Sequence, residues 1–192
     1  MRTPRLVMLG KQGAGKGTQA ERVADYYGIV HLSTGDLFRR QAESGSAFAL
    51  EAKRYMDAGE LVPDDIVIGV VEECLRHGGP LSGGFVLDGF PRTTEQADAL
   101  ERLLGERPLD IVVHLEVARE IVVERMRSRA REDDTDDAIE RRLELYDRET
   151  RPIIEYYEDL GRIVEIDGVG SLEEVFERIV GAVDGRSAVS AG

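Results

Sequence analysis

A glycine-rich segment near the N-terminus constrains the fold of this chain more than any other feature. It reads "GKQGAGKGT", from Gly10 to Thr18, and stands between the apolar run 6–9 and a helical pattern. The spacing G-x-x-x-x-G-K between a strand and a helix is typical of a loop whose backbone amides bind phosphate. The helix that follows adds its positive end, and Lys16 can reach the outer phosphates. A plain glycine turn is the alternative, and this context disfavours it.

One position of this loop departs from the general pattern. Gly17 follows the lysine, where Ser or Thr normally binds magnesium, and Thr18 comes one place later. We therefore predict that Mg²⁺ is held mainly through water.

Short apolar runs alternate with longer helical patterns along the chain. This order is typical of a three-layer α/β fold in which a parallel sheet lies between helices. Most of the runs are apolar throughout, which predicts strands buried on both faces. The five predicted strands are 6–9, 29–32, 85–87, 111–115 and 163–166. The predicted helices between and after them are 19–27, 94–104, 118–129, 136–160 and 171–183.

The interval between the second and third strands breaks this alternation. Residues 35–75 contain helical patterns and no convincing strand, and the interval is far longer than a simple crossover needs. We predict a small helical insertion that lies on the core. The whole chain of 192 residues suits one domain. Its tail, Gly185–Gly192, is rich in Ser, Ala and Gly and is predicted to be frayed and disordered.

Charge and cysteine content limit the partners and the compartment. The chain has 25 basic and 38 acidic residues, a net charge of −13, so we expect no general attraction to nucleic acid or to an anionic membrane. An anionic ligand must be bound by local groups. Cys74 is the only cysteine, which rules out an internal disulfide. No apolar run reaches the length of a signal peptide or a membrane span, and we expect a soluble cytoplasmic protein.

The segment "STGDLFR" follows the second predicted strand. Ser33 or Thr34 can cap a helix whose first turn carries Asp36, and Arg39 then projects from the next turn. Taken alone, this pattern favours an ordinary surface arginine.

The segment "LDGFPR" ends the third predicted strand. Asp88 lies at the carboxyl edge of that strand, where ligands bind in open α/β sheets. A carboxylate there is costly without a partner, and a magnesium ion or its water shell would supply one. Capping the next turn is the alternative role. Gly89 and Pro91 turn the chain sharply, which predicts that Arg92 points back over the sheet edge.

A third cluster of charges reads "RMRSRAREDDTDDAIERR". Arg129 and Arg131 are two residues apart, so a break in the helix is needed before both can face one ligand. The acids of 133–137 suit the start of the next helix, which carries Arg142 on about its second turn. We predict that this loop orders as a lid. A solvated charge run is the alternative.

These features together indicate a reaction class. The sequence combines a phosphate loop, an acid at a strand edge and several arginines, and it offers no plausible Ser-His-Asp or Cys-His system. Phosphoryl transfer fits, because positioning and cationic groups supply most of its catalysis. A phosphate acceptor has a second pKa of about 6 and is already largely deprotonated at pH 7. His31, His77 and His114 are then not needed as bases, and we expect them to be structural.

At these residues the sequence closely resembles adenylate kinases of the short-lid kind. The resemblance runs from about Arg5 to Asp184, and several separate motifs agree in order and spacing. They are "GAGKGTQA", "STGDLFR", "DAGELVP", "LDGFPRT", the lid "RAREDDTDD" and "RPIIEYY". The family implies a P-loop fold and reversible phosphoryl transfer from MgATP to AMP, which gives two ADP.

The resemblance also implies roles for individual residues. Residues 33–62 are expected to form the AMP-binding insertion, and 128–134 the short lid. The residues that match the ATP site are Gly13, Ala14, Gly15, Lys16, Gly17, Thr18, Arg129 and Gly170. The residues that match the AMP site are Thr34, Arg39, Glu60, Leu61, Val62, Gly89, Phe90, Pro91, Arg92, Gln96, Arg131 and Arg142. The expected catalytic set is Lys16, Arg92, Arg129, Arg131 and Arg142, with Asp88 on the magnesium side.

Two departures from the family bear on the loop and the lid. Lys11 and Gln12 replace the small residue and the proline that are usual in the loop, which puts its rigidity and its nucleotide affinity in question. Only Ala130 separates the two lid arginines, so the long lid of other members cannot form. With one cysteine, a structural zinc site of four cysteines is excluded. We expect a monomer whose ligands are ATP, AMP and ADP.

Two other functions stay open on the sequence alone. A UMP/CMP kinase could use the same scaffold, although such kinases tend to have alanine where this chain has Thr34 and asparagine where it has Thr93. Gln96 could pair with an adenine edge through two hydrogen bonds. A nucleotide-binding regulator that has lost catalysis is the second alternative, motivated by Lys11 and Gln12.

Overall fold

A computed structural model describes residues 3–44, 46–76, 83–129, 131 and 133–189, and the fold is given for these residues. The strands are β1 (Arg5–Leu9), β2 (Val30–Ser33), β3 (Phe85–Asp88), β4 (Ile111–Glu116) and β5 (Ile163–Asp167). They form one parallel sheet in the order β2-β3-β1-β4-β5. The predicted five-stranded parallel sheet is therefore confirmed.

Helices surround this sheet. They are α1 (Lys16–Tyr27), α2 (Thr34–Glu43), α3 (Ala47–Asp57), α4 (Asp64–Arg76), α5 (Thr94–Leu104), α6 (Arg119–Arg129), α7 (Asp136–Leu145), α8 (Arg151–Asp159) and α9 (Leu172–Val189). The interval between β2 and β3 contains α2, α3 and α4, and its described residues include no strand. His77 lies outside the described residues.

Two helices differ from the sequence-based prediction. The single helix expected over 136–160 is divided by a π-helical turn, Tyr146–Thr150. Pro152 stands near the start of α8, and its ring and missing N–H disfavour a continuous α-helical ladder through this point. The last helix continues to Val189, into the segment expected to be frayed, and Arg186 Nη1 anchors it by donating to the carbonyl of Gly161 at 2.6 Å.

The core has two halves, one on each face of the sheet. Alternate residues of β1 point to opposite faces, so Leu6 and Met8 pack with α1, α6 and α9, and Val7 and Leu9 pack with α4, α5 and α8. All four side chains are buried. This is the three-layer arrangement that the sequence predicts. In the described part of the chain, no helix has the length and apolar character needed to cross a membrane.

Strand order determines where a ligand can bind. The chain moves from β1 to one side of the sheet for β2 and β3 and crosses to the other side for β4 and β5. A crevice opens at the carboxyl ends of the strands where the direction reverses, and ligands of open α/β folds bind there. The register pairs Ser33 with Asp88 and Met8 with Asp88. The glycine-rich loop and the segment after β3 therefore start side by side.

Candidate functional site

The glycine-rich loop curls tightly against α6. Gly13 has φ of 85° and Gly15 has φ of 96°, conformations that favour glycine. A Cβ on Gly13 would lie 2.6 Å from the carbonyl oxygen of Val122, so no side chain fits there. The amide of Ala14 donates to the carbonyl of Lys11 at 3.1 Å, which closes the turn. The loop then leads directly into α1 at Lys16.

Lys16 is held inside the curl of the loop. Its Nζ donates to the carbonyls of Gly10 at 2.7 Å and Lys11 at 2.8 Å. Burial lowers the pKa of Lys16 to about 8, with smaller lowering by Arg92 and Arg129, while Asp88 acts in the opposite direction. With this pKa the lysine stays mostly protonated at pH 7, and a bound phosphate would stabilise its charged form further.

Lys11 anchors the first half of the loop. Its Nζ pairs with Glu116 Oε1 at 2.9 Å and donates to the carbonyl of Val117 at 3.2 Å. The ammonium also lies 5.8 Å from the centre of the Tyr146 ring. These contacts tie the loop to the end of β4.

Asp88 lies between the loop and the segment after β3. A Cβ on Gly17 would be 3.3 Å from Asp88 Oδ2, so the glycine leaves the carboxylate room beside the loop. Asp88 is also the charge that opposes the lowering of the pKa of Lys16 and of Arg92. Within the described residues no cluster of three or more His, Cys, Asp or Glu side chains could hold a metal ion. One carboxylate beside Gly17 of the phosphate loop suits a magnesium ion whose other ligands are phosphate and water.

Arg92 is fixed at three points. Its Nε donates to the carbonyl of Gly89 at 2.8 Å, its amide donates to Gln96 Oε1 at 2.7 Å, and its carbonyl accepts from Thr150 Oγ1 at 2.9 Å. A Cβ on Gly89 would lie 2.9 Å from Thr34 Oγ1 and 3.1 Å from Arg92 Nη2. Glycine is thus required where these two side chains meet. Burial lowers the pKa of Arg92, and nearby guanidinium groups lower it further.

The start of α2 also lines the cavity, next to the segment after β3. Ser33 caps this helix by accepting from the amide of Asp36 at 3.3 Å, which decides between the two predicted caps. Arg39 Nη2 donates to Asp36 Oδ1 at 2.5 Å. The guanidinium folds over Gly35, whose Cβ would lie 3.2 Å from Arg39 Nη2. Arg39 therefore faces the cavity rather than open solvent.

The segment predicted to be the lid and the helix α7 share a network of arginines and acids. Helix α6 ends at Arg129, which is the break that the spacing of Arg129 and Arg131 requires. Arg129 forms two bonds with Asp134, at 2.6 and 2.9 Å. Arg142 bonds Asp134 at 2.6 Å, Asp133 at 2.5 Å and the carbonyl of Met56 at 2.8 Å.

This network corrects one prediction. Asp133 and Asp134 do not begin the next helix, because Thr135 caps α7 by accepting from the amide of Ala138 at 3.3 Å. The two acids instead compensate the charges of Arg129 and Arg142 inside the lid. Only Asp136 and Asp137 lie in the first turn of α7.

Arg131 belongs to the predicted lid and is close enough to α2 to interact with the charges of Asp36 and Arg39. Burial lowers its pKa, and so do Arg129 and Arg39, whereas Asp36 and Asp133 act in the opposite direction. The side chain is nevertheless exposed. Lid and insertion thus bring their arginines to the same space.

One cavity of about 1340 Å³ joins these groups, and it exceeds the roughly 300–1,000 Å³ typical of a site for one small ligand. Its lining brings together all but one of the predicted site residues, which are Gly13, Ala14, Gly15, Lys16, Gly17, Thr18, Thr34, Arg39, Glu60, Leu61, Val62, Asp88, Gly89, Pro91, Arg92, Gln96, Arg129, Arg131, Arg142 and Gly170. Phe90 is the exception. Its side chain is 0% exposed and packs in the core, although its neighbours Gly89 and Pro91 line the cavity.

Sequence reasoning missed Arg125, which also lines the cavity. Its Nη1 and Nη2 donate to the carbonyls of Ala14 and Gly168, each at 3.3 Å. The side chain therefore bridges the phosphate loop and the turn that carries Gly170. A signal was present, because Arg125 precedes Arg129 by one helical turn and shares its face of α6.

Comparisons with known proteins show the family of the chain. The family model described as "Adenylate kinase" matches residues 8–162. The "Adenylate kinase" of Xanthomonas euvesicatoria pv. vesicatoria is 49% identical over 181 residues, 91% of this chain and 96% of that protein. The "Adenylate kinase" of Corynebacterium urealyticum is 48% identical over 182 residues, 94% of this chain and 99% of that protein. The chain belongs to the adenylate kinase family.

The matched range contains most of the cavity. Residues 8–162 include the loop at Lys16, the insertion, the segment after β3 and the lid. Gly170 lies beyond the matched range, but the relatives above align along nearly their whole length. The family and the fold expected from the sequence are both confirmed.

Proposed function

We propose that this protein transfers the terminal phosphoryl group of ATP, in the presence of Mg²⁺, to AMP, reversibly and with two ADP as products. The observation that carries the proposal is the single cavity with a phosphate loop at one end and a second set of arginines at the other. Lys16, Asp88 and Arg92 lie where the two ends meet. Membership of the adenylate kinase family supports the same reaction.

The donor end lies between the loop and the turn after β5. Backbone amides of residues 13–18 and the start of α1 would bind the ATP phosphates. Gly170 has φ of 133° and lines the cavity, so its backbone would face the donor base. Arg125, which bonds Ala14 and Gly168, presents a planar guanidinium beside that base.

The acceptor end lies between α2 and the segment after β3. The lining residues of this end include Thr34, Arg39, Gly89, Arg92 and Gln96. Thr34 and Arg92 both approach Gly89. The stretch 60–62 closes this end, and residues 33–62 form the proposed AMP-binding insertion. The two guanidinium groups would bind the phosphate of AMP, because Arg pairs with phosphate through two parallel hydrogen bonds.

Transfer requires that the two ends be joined. An oxygen of the AMP phosphate forms a bond to the terminal phosphorus of ATP while the bond from that phosphorus to the bridging oxygen breaks, and the leaving group is ADP. Lys16 and Arg92 would stabilise the charge on the moving group from below. Arg129 and Arg131 would do so from the lid, residues 128–134, and Arg142 from α7. No base is needed, because the acceptor phosphate is already ionised.

Magnesium would be held by Asp88 through water, with Thr18 nearby and the ATP phosphates as the remaining ligands. When bound, the ion neutralises part of the phosphate charge. The proposal includes no structural zinc, and it places the protein in the cytoplasm as a monomer.

Acceptor selectivity tests the proposal. The expected order of kcat/KM is AMP far above GMP, CMP and UMP, by several powers of ten, because an unmatched base leaves buried polar groups unpaired. Steady-state assays with the four acceptors at fixed MgATP measure it. Equal or better use of CMP or UMP would contradict the proposal and favour a pyrimidine kinase.

A further inference from the structure

We propose that Asp64 is a positioning residue that fixes the amide of Gln96 in the orientation that selects a 6-aminopurine acceptor over a 6-oxopurine. This inference rests on the proposed function, because it assigns a residue to the acceptor end of the same cavity. Asp64 itself does not line that cavity.

Asp64 is the first residue of α4 and contacts the start of α5. Its Oδ1 accepts from Gln96 Nε2 at 2.7 Å, and its Oδ2 accepts from Thr93 Oγ1 at 2.7 Å. Both carboxylate oxygens are thus engaged by the segment that follows Arg92. The positive end of α4 stabilises the ionised carboxylate at this position.

The partners of Gln96 determine which way its amide faces. Gln96 Oε1 accepts from the amide of Arg92 at 2.7 Å, and Nε2 donates to Asp64. A backbone N–H can only donate, and an ionised carboxylate can only accept. If the side-chain amide of Gln96 were flipped, its oxygen would face the carboxylate of Asp64, and its NH₂ group would face the backbone N–H of Arg92. Because Gln96 is 1% exposed, water could not compensate such a flip.

Thr93 completes the arrangement. Its Oγ1 accepts from the amide of Gln96 at 3.2 Å and caps α5, so its hydroxyl hydrogen is free to point at Asp64. The hydroxyl of Thr93 therefore donates to one carboxylate oxygen of Asp64, while the other oxygen accepts from the side-chain amide of Gln96. Asp64, Thr93 and Gln96 form one rigid unit directly beside Arg92.

The fixed orientation has a consequence for base choice. After these bonds, Gln96 retains one N–H and one oxygen lone pair, and it lines the acceptor end of the cavity. Adenine presents an N6–H donor and an N1 acceptor on adjacent atoms. Hypoxanthine and guanine present the reverse order, an O6 acceptor and an N1–H donor. An amide that pairs with one pattern pairs with the other only after it flips.

The test compares two acceptors that differ in this pattern. IMP has the 6-oxo group of GMP without its 2-amino group, so AMP and IMP isolate the 6-position. In Asp64→Asn the new side-chain amide can donate as well as accept. Its NH₂ group can donate to the oxygen of a flipped Gln96 amide, so residue 64 no longer disfavours the flip. We expect the ratio of kcat/KM for AMP to that for IMP to fall at least about tenfold, with KM for ATP within about twofold of wild type.

The chain offers a matched control in the next residue. Asp65 is exposed in the same helical turn, and Asp65→Asn makes the same change of charge without a contact to Gln96. It should keep the wild-type ratio. If Asp64→Asn does not fold, Thr93→Val is decisive, because it frees one carboxylate oxygen and should lower the ratio about threefold.

The outcomes separate this inference from the proposed function. A wild-type enzyme that does not phosphorylate AMP would overturn the proposed function. A wild-type enzyme that prefers AMP, with a folded Asp64→Asn variant whose AMP to IMP ratio stays within about threefold, would overturn only the role of Asp64. An unfolded Asp64→Asn with an unchanged ratio in Thr93→Val would do the same.

Discussion

Two groups of cations face the cavity, and they are held in different ways. The floor cations, Lys16 and Arg92, bond mainly to backbone carbonyls, with Lys16 on Gly10 and Lys11 and Arg92 on Gly89. The lid cations are Arg129 and Arg131. Arg129 donates to the carboxylate of Asp134, and the side chain of Arg129 is 28% exposed. Arg131 is exposed as well.

This difference predicts that Lys16 and Arg92 are preorganised for the reaction, whereas Arg129 of the lid changes partner when a ligand binds. A carbonyl in a loop stays in place when a ligand binds, so the floor cations are already at the point where charge develops. A carboxylate is an anion that phosphate can replace, because both accept paired bonds from a guanidinium. We therefore expect Lys16 and Arg92 to be in position before substrates bind, and Arg129 to exchange Asp134 for phosphate as the lid closes.

The largest expected effect is that of Lys16→Met on the floor. Turnover should fall about a thousandfold, because the ammonium acts on the transferring group more than on the ground state. The melting temperature should not fall, since burial lowers the pKa of Lys16 to about 8 and thus disfavours the charged lysine in the fold. Turnover within about tenfold of wild type, with unchanged circular dichroism, would remove Lys16 from the catalytic set.

The next effect is that of Arg131→Lys in the lid. With both substrates saturating, kcat should fall at least about a hundredfold, because lysine offers a point charge where arginine offers a planar fork. The melting temperature should hardly move, since Arg131 is exposed. Kinetics beside a melting curve measure both. A kcat within about threefold of wild type would make the lid arginine an ordinary surface charge.

The smallest expected effect is that of Thr150→Val, which acts on the floor through Arg92. The carbonyl of Arg92 would lose the Thr150 hydroxyl that donates to it at 2.9 Å. Thr150 is only 7% exposed, so water would not readily replace the hydroxyl. We expect kcat/KM to fall about tenfold, and stability to fall by about 1–3 kcal/mol for the unpaired carbonyl. Thr150→Ser keeps the hydroxyl donor and should retain the wild-type kcat/KM and the wild-type stability. Equal behaviour of the two variants would contradict this role of the hydroxyl.

The predictable parts of this molecule are those set by local sequence. The strand, glycine loop and helix around Lys16 were expected because turn geometry and helix capping act over a few residues. The cap at Ser33 and the end of α6 at Arg129 follow from the same kind of rule.

The parts that were not predictable depend on residues far apart in the chain. Asp133 and Asp134 pair with Arg142 of α7 instead of starting a helix, and the ring of Phe90 packs in the core. The bond between Asp64 and Gln96 spans 32 residues, and no local pattern indicates it. Such contacts form only when two elements have packed together.

Direct transfer between two bound nucleotides is the central claim, and positional labelling tests it. ATP labelled in its terminal phosphate is mixed with AMP, Mg²⁺ and the protein, and the products are separated. We predict that the label appears in the β-phosphate of ADP formed from AMP, with two ADP for each ATP consumed and no labelled protein. Lys16→Met should lose this transfer. Label that leaves as inorganic phosphate at the same rate, or that stays on the protein as an intermediate, would contradict the account.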